Sequence, residues 1–221
     1  NIAKTGASHV AIATPYDDEF LPILTRWMAA ARKYNLKVWF RGNWSGWEKW
    51  FGYPPIDRAT HIGKTKEFIL SHSDLFEDGD VFTACPECEN GGPGDPLFTR
   101  DIDGHRKFLI DEYAVTKASF KQIKKNVASN YDSMNGDGAR LIMDRDTTKA
   151  LDGIVAVDHY VSTPEKLAED LIALSELSGG SIILGEFGSP IPDIHGNQTE
   201  QEQAAWLDNA FQKLITMPQV K

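Results

Sequence analysis

Six short apolar runs alternate with longer amphipathic segments along this chain, and that alternation constrains the fold more than any other feature. The runs are too short for helices, and each is bounded by Gly, Asp or Asn, so we interpret them as buried parallel strands. They cover residues 9–13, 37–40, 80–84, 126–129, 153–157 and 181–184. Strands that alternate with helices in this way predict a parallel α/β fold.

The segments between the runs carry helix signals. Apolar residues from Leu24 through Trp27 and Met28 to Ala31 have the i, i+3, i+4, i+7 spacing of one helical face. A second long helix is predicted over roughly residues 105–124. Further along the chain, Thr163 before a proline predicts an N-cap, and Thr199 with Glu202 predicts a capping box.

Charge and length exclude several classes of partner. The chain has 221 residues and a net charge of −9, without a basic cluster, so we expect it to bind no nucleic acid. No apolar run approaches the ~20 residues that span a bilayer, so we expect no membrane contact. The first residues lack a signal-peptide pattern. We predict a single domain over residues 1–221.

The two cysteines, Cys85 and Cys88, are three positions apart. One such pair is at most half of a zinc site, and a redox CxxC usually opens a helix, whereas this one contains a proline in a Gly-rich strand exit. We therefore expect ordinary reduced thiols near the rim, with no metal and no cofactor.

Polar side chains directly follow four of the predicted strands. No Gly-x-Gly-x-x-Gly follows any of them, which gives no support to an open dinucleotide-binding sheet. In a closed barrel the carboxyl ends of all strands face one mouth, where such enzymes work. We therefore predict a (β/α)8 TIM barrel whose mouth carries Arg41, Glu87, Asp158-His159-Tyr160 and Glu186.

Two of these side chains are suited to act as a catalytic pair. Glu186 lies between glycines right after an apolar strand, and Glu87 follows another strand, with Glu89 as a rival two positions on. Two carboxyl groups about 5–5.5 Å apart serve a retaining glycosidase, in which one attacks the anomeric carbon and the other protonates the departing oxygen. This pattern predicts that Glu87 and Glu186 form such a catalytic pair.

Aromatic residues and a His-Tyr pair are the candidates for binding a sugar. Trp44 and Trp47 follow the second predicted strand, and their flat faces match the C–H faces of pyranose rings. After the fifth predicted strand, His159 or Tyr160 is placed to contact the nucleophile or a sugar hydroxyl. The alternative is a core His or Tyr satisfied by backbone groups.

The order of these motifs resembles clan A of the glycoside hydrolases, and most of all its cellulase- and mannanase-type family 5 branch. The resemblance covers about residues 4–220. It implies that Glu87 is the acid/base, that Glu186 is the nucleophile, and that Arg41, His159 and Tyr160 contact substrate.

The chain departs from the clan in two respects. Pro86 stands where the clan has an Asn that contacts the sugar 2-hydroxyl. In addition, barrel strands 1 and 8 are unaccounted for, and missing strands leave unpaired edges. We therefore expect a fragment of a longer protein, a second chain or segment that completes the barrel, or an atypical six-stranded arrangement.

Three functions follow from these patterns. The first is a retaining hydrolase of a β-linked poly- or oligosaccharide, a substrate that favours a secreted protein. The second is a weakly active or inactive carbohydrate-binding barrel that holds sugar through Trp44 and Trp47. The third is a barrel enzyme that uses Glu87 and Glu186 as metal ligands.

Overall fold

The computed structural model describes residues 2–44 and 53–221, which form an α/β protein with two parallel three-stranded sheets. The predicted parallel α/β class is therefore confirmed. The chain divides into two compact units, Asn1–Asp132 and Ser133–Lys221, and each unit contains one of the sheets. One closed barrel domain over residues 1–221 stays a prediction.

The first unit is built on a sheet of order β1-β2-β3. Its parallel register aligns Ile12, Phe40 and Phe82 in one row across the three strands, and all three side chains are buried. This apolar row is the reason the short strands hold together, because it places one side chain of each strand in a common core. The elements are β1 (His9–Ala13), α1 (Leu21–Lys33), β2 (Lys37–Arg41), α2 (Arg58–Ser71), β3 (Val81–Thr83), α3 (Pro96–Thr99) and α4 (Ile102–Gln122).

Aromatic side chains fill the core of the first unit. The ring centroid of Phe82 lies 5.0 Å from that of Tyr16 and 5.5 Å from that of Phe120, and Phe76 packs edge-on against Phe120 at 5.0 Å. Such offset and edge-to-face contacts are the favoured arrangements of aromatic rings. The core therefore ties helix α4 to the middle of the sheet.

Helix α1 confirms the predicted amphipathic segment, with one correction. Leu24, Met28 and Ala31 are buried as expected, whereas the Trp27 side chain is 52% exposed. Trp27 lines an apolar groove of about 370 Å³ beside β1, together with Val10 and neighbouring residues. The helical periodicity predicted that Trp27 is buried. It is exposed because β1 is the edge strand of its sheet and no described element covers the groove beside it.

The second unit is built on a sheet of order β4-β5-β6, also parallel. Every residue of β5 is buried, as expected for a central strand covered on both faces. Thr163 and Thr199 cap helices α7 and α9, and the capping box at Thr199 is present. The elements are β4 (Met134–Asn135), α5 (Gly136–Ile142), α6 (Arg145–Ala150), β5 (Ile154–Asp158), α7 (Pro164–Ser178), β6 (Ser181–Glu186), α8 (Pro192–His195) and α9 (Glu200–Leu214).

The predicted strand over residues 126–129 is wrong. These residues make only an isolated parallel bridge between Ala128 and Val81. The Phe82 amide donates to the Ala128 carbonyl at 2.8 Å, and the Ala128 amide donates to the Asp80 carbonyl at 3.1 Å. Since only Ala128 is bridged, the pairing does not extend into a regular strand.

The described helices are not membrane spans, since none of them in residues 2–44 and 53–221 combines the length and the apolar character that a bilayer crossing requires.

Asp80 anchors the start of β3. Arg32 donates to both of its carboxylate oxygens, at 2.8 and 2.5 Å, and the backbone amides of Val38 and Glu77 donate to the same carboxylate at 2.9 and 2.8 Å. The Asp80 side chain is fully buried. A buried carboxylate with this set of donors is satisfied in full. Its loss leaves two backbone amides without their acceptor and removes both hydrogen bonds from the partly buried Arg32 guanidinium to Asp80.

We expect Asp80→Ala to lower the free energy of unfolding by about 3–5 kcal/mol, because it removes the fully buried acceptor of the Arg32 guanidinium and of two backbone amides. Urea denaturation measures this change. The matched control is Asp111→Ala, which removes the half-exposed partner of Lys107 and is expected to cost less than about 1 kcal/mol. Equal losses in the two variants would contradict the anchoring role of Asp80.

Candidate active site

The candidate residues belong to both units. Arg41, Trp44 and Glu87 lie in the first unit, and His159, Tyr160 and Glu186 lie in the second. Trp47 lies outside the described residues. Within each sheet the strands are parallel, so residues at or just past their carboxyl ends share one edge of that sheet.

Glu186 is the last residue of β6, and Tyr160 follows the neighbouring strand β5. The Tyr160 hydroxyl donates to Glu186 Oε2 at 2.9 Å. The His159 amide also donates to the Glu186 carbonyl at 2.8 Å, which extends the pairing of the two strands. A hydroxyl that donates to a carboxylate fixes the orientation of that carboxylate. The structure thus brings together two of the predicted residues.

The backbone before Glu186 departs from regular strand pairing. Val157 pairs with Leu184 and Asp158 pairs with Glu186, so Gly185 is the extra residue of a β-bulge. The buried Asp158 side chain occupies the space beside Gly185 and accepts a hydrogen bond from the Ser133 hydroxyl at 2.8 Å. A side chain at position 185 would overlap Asp158 Oδ1. The glycine is therefore what lets Asp158 pack against the strand that ends at Glu186.

His159 has a different partner from Tyr160. Its Nε2 lies 3.0 Å from Asp170 Oδ2 on α7, and its ring packs against the backbone of Gly136. Although burial acts to raise the pKa of Asp170, hydrogen bonds from Lys166, His159 and Arg140 lower that pKa to about 2. The structure places the imidazole on this ionised carboxylate rather than on Glu186.

Arg41 and Trp44 follow β2 in the first unit. Arg41 is 8% exposed, and its guanidinium lies 5.6 Å from the centroid of the Trp39 ring. Trp44 is 5% exposed and packs against Tyr16 at 5.0 Å and His61 at 5.5 Å between ring centroids. Trp44 also lines a cleft of about 470 Å³ between the loop after β1 and helix α2.

The turn after β3 corrects the expectation of reduced thiols, because Cys85 and Cys88 form a disulfide. Their Cα atoms are 5.5 Å apart, since the backbone at Glu87 adopts the left-handed conformation with φ 47° and ψ 39°. That conformation is unusual for a residue with a side chain and folds the chain back over these few residues.

Within residues 2–44 and 53–221, no three His, Cys, Asp or Glu side chains are grouped to hold a metal ion.

Glu87 and Glu89 differ in accessibility. Glu87 is partly exposed, whereas Glu89 is 1% exposed. A general acid has to reach the leaving oxygen of a bound substrate. Accessibility therefore favours Glu87 over its rival for this role.

Sequence reasoning missed Asp132, which is next to the candidate acid/base turn. Its Oδ1 accepts hydrogen bonds from the amides of Ala84 at 2.9 Å and Cys85 at 3.2 Å. Burial, assisted by the nearby charge of Glu112, raises the pKa of Asp132 to about 8, against the opposing effect of the two amides. The signal was present in the sequence as a carboxylate shortly after the apolar run 126–129.

Comparison with solved structures finds this fold in TIM-barrel glycoside hydrolases of clan A. A fungal β-1,4-galactanase superposes with a TM-score of 0.68 at 14% identity, covering 99% of this chain and 76% of its own. The β-glycosidase BGL167 superposes with a TM-score of 0.65 at 10% identity, covering 97% of this chain and 70% of its own. A Bacteroidetes-affiliated GH5 cellulase superposes with a TM-score of 0.62 at 13% identity, covering 99% of this chain and 73% of its own. No protein-family model and no curated protein sequence matches the chain.

We expect Gly185→Ala to destabilise the protein by about 1–3 kcal/mol, because the new methyl group overlaps the buried Asp158 carboxylate. Thermal unfolding followed by circular dichroism measures the change. The control is Gly63→Ala at an exposed position of α2, where an added Cβ meets open space. Helix propensity predicts that this change stabilises the protein by about 0.5–1 kcal/mol. A gain in both variants would show that Asp158 does not need the glycine.

Proposed function

We propose that this chain is a retaining glycoside hydrolase that cleaves β-glycosidic bonds of a poly- or oligosaccharide, with Glu186 as nucleophile and Glu87 as general acid/base. The observation that carries the proposal is the Tyr160 hydroxyl on Glu186 Oε2 at the carboxyl ends of two adjacent parallel strands. The fold shared with clan A glycosidases supports it, and the motif order favours the family 5 branch of that clan.

In the first step a Glu186 oxygen bonds to the anomeric carbon while the bond from that carbon to the leaving oxygen breaks. Glu87 gives its proton to the leaving oxygen, so that an alcohol departs rather than an alkoxide. The Tyr160 hydrogen bond serves this step because it holds Glu186 Oε2 and so fixes the direction of the other carboxylate oxygen.

In the second step Glu87, now a carboxylate, takes a proton from water. The water oxygen attacks the anomeric carbon, and the ester bond to Glu186 breaks. Two inversions at one carbon retain its configuration. The acid/base must therefore alternate between two protonation states, which requires contact with both substrate and water, as the partial exposure of Glu87 allows.

Substrate binding is proposed for Arg41, Trp44, Trp47, His159 and Tyr160, with aromatic faces against pyranose rings. Neighbours in the comparison are named as a galactanase and a cellulase, which fits a β-linked glycan as substrate. A polymeric substrate also fits a secreted protein.

A carbohydrate-binding barrel with little or no activity is the alternative, and Pro86 is the residue that favours it. Pro86 has no side-chain amide to contact a sugar 2-hydroxyl, and it is buried in the turn before Glu87. Hydrogen bonds to that hydroxyl strengthen in the transition state and supply several kcal/mol in related enzymes. Loss of this contact slows hydrolysis without preventing sugar binding.

We also propose that a second chain or a further segment pairs with the outer edge of β1. That strand has a partner on one side in its sheet, β2, and the apolar groove beside it exposes Trp27. The outer edge of β6 is already in contact with a further segment, since Val220 forms a parallel bridge to Ile182.

We expect Glu186→Gln to lower kcat about a thousandfold or more with little effect on folding, because it removes the nucleophile and keeps the shape. We expect Glu87→Ala to be rescued by azide on substrates with good leaving groups, yielding a β-glycosyl azide. Hydrolysis of aryl β-glycosides measures both effects. Glu169→Gln on the exposed side of α7 is the control and is expected to match wild type. Normal activity of both site variants would refute the assignment.

Release of reducing ends from β-glucans, mannans and xylans separates hydrolase from binding barrel. The hydrolase releases reducing ends from at least one polymer, and Glu186→Gln stops the release. The binding barrel is retained on polymer affinity gels at every pH and releases nothing. Stoichiometric divalent metal in the purified protein would instead point to carboxylates that act as metal ligands.

A further inference from the structure

Two consecutive backbone amides converge on one oxygen where β3 ends. The amides of Ala84 and Cys85 both donate to Asp132 Oδ1, at 2.9 and 3.2 Å. In an extended strand, successive amides point to opposite sides. Their convergence means that the chain turns at Ala84 and Cys85, and the Asp132 oxygen is the acceptor around which it turns.

The surroundings of this turn are fixed as well. The Tyr16 hydroxyl donates to the Thr83 carbonyl at 3.0 Å, and the Thr83 hydroxyl donates to the Tyr131 carbonyl at 2.8 Å. The indole of Trp39 donates to the same Thr83 hydroxyl at 2.8 Å. Since the Tyr131 carbonyl is hydrogen-bonded to Thr83 at the end of β3, the neighbouring Asp132 has a defined position relative to the turn.

The segment after the turn transmits the position of Cys85 to Glu87. The disulfide joins Cys85 to Cys88, and the proline ring restricts the backbone at Pro86. Glu87 holds its left-handed conformation in this closed loop, and its carbonyl accepts from the Asn90 amide at 2.9 Å. A loop this constrained moves as one piece, so a shift at Cys85 displaces the Glu87 side chain.

We propose that Asp132 is a positioning residue for the general acid/base: it holds the Ala84–Cys85 turn and thereby sets where the Glu87 carboxyl group lies. The proposal rests on the assignment of Glu87 in the proposed function. Asp132 acts through the backbone and does not itself touch substrate.

The protonation state of Asp132 makes it possible to distinguish a positioning role from an effect of its charge. Because the pKa of Asp132 is raised to about 8, the side chain is neutral below that pH and accepts the two amides with an uncharged oxygen. An asparagine has the same shape and the same kind of acceptor oxygen. Asp132→Asn therefore preserves the turn, whereas Asp132→Ala removes the acceptor and Asp132→Glu displaces it by one methylene.

The first test is amide hydrogen exchange by NMR at about pH 6. We expect the Ala84 and Cys85 amides to exchange about tenfold faster or more in Asp132→Ala and Asp132→Glu, and as in wild type in Asp132→Asn. The Phe82 amide, which donates to the Ala128 carbonyl, is the internal control and stays unchanged. Unchanged exchange at Ala84 and Cys85 in both disruptive variants overturns the proposal.

The second test compares aryl glycosides with good and poor leaving groups, since only the poor ones need a proton from Glu87. We expect the alanine and glutamate variants to lose about 10–100-fold in kcat on poor leaving groups, and less than about threefold on dinitrophenyl glycosides. Asp132→Asn stays within about threefold of wild type on both. An equal loss on both substrates, or an asparagine variant as impaired as the alanine variant, overturns the proposal.

Titration of the Glu87 side-chain carboxyl carbon by NMR keeps this inference distinct from the proposed function. If wild type hydrolyses no β-glycoside, the proposed function fails. The carboxyl resonance and its titration midpoint then still show whether the position of Glu87 depends on Asp132. Both are expected to shift in Asp132→Ala and Asp132→Glu and to match wild type in Asp132→Asn, and identical titration in all four proteins overturns the positioning role.

Discussion

Parallel pairing of short strands is the constraint on which the remaining structure depends. Each strand enters its sheet from the same side, so the carboxyl ends of β1, β2 and β3 lie at one edge, and those of β4, β5 and β6 lie at one edge of the second sheet. Polar side chains can gather at this edge, whereas β3 and β5 are buried along their whole length. Tyr160 and Glu186 meet for this reason: Glu186 ends β6 opposite Asp158, the last residue of the neighbouring strand β5, and Tyr160 comes two residues after Asp158.

The same constraint creates polar groups that the sheet cannot satisfy. Regular pairing of β3 stops at Thr83, and the buried amides and carbonyls at and beyond this point need other partners. Side chains supply them in the first unit, where Asp132 accepts from two amides and Tyr16 donates to a carbonyl. In the second unit, Ser133 donates to the buried Asp158 carboxylate. In the first unit, the side chains that satisfy the end of β3 therefore lie beside the turn that carries Glu87.

Local signals in the sequence predicted every described strand except β4, and tertiary contacts account for several of the differences. Apolar runs located the strands that carry Arg41 and Glu186, and the capping box at Thr199 was predicted to the residue. Residues 126–129 are no regular strand, because their pairing is limited to a bridge. The choice of Asp170 as the partner of His159 depends on a residue of α7 that periodicity does not relate to β5. Asp132 escaped notice because its partners are backbone amides 47 and 48 positions away.

Both proposed catalytic carboxylates follow a departure from regular backbone geometry. Glu186 comes directly after the bulge at Gly185, and Glu87 itself is left-handed inside a disulfide-closed turn. Conformations of this kind cost free energy and persist only where neighbouring groups determine them. Here the buried Asp158 fills the space beside the bulge, and Asp132 and the disulfide hold the turn. A regular strand alternates its side chains between two faces, whereas each of these irregularities gives one carboxylate a fixed orientation. A reaction that uses two carboxyl groups at a defined separation requires such fixed orientations.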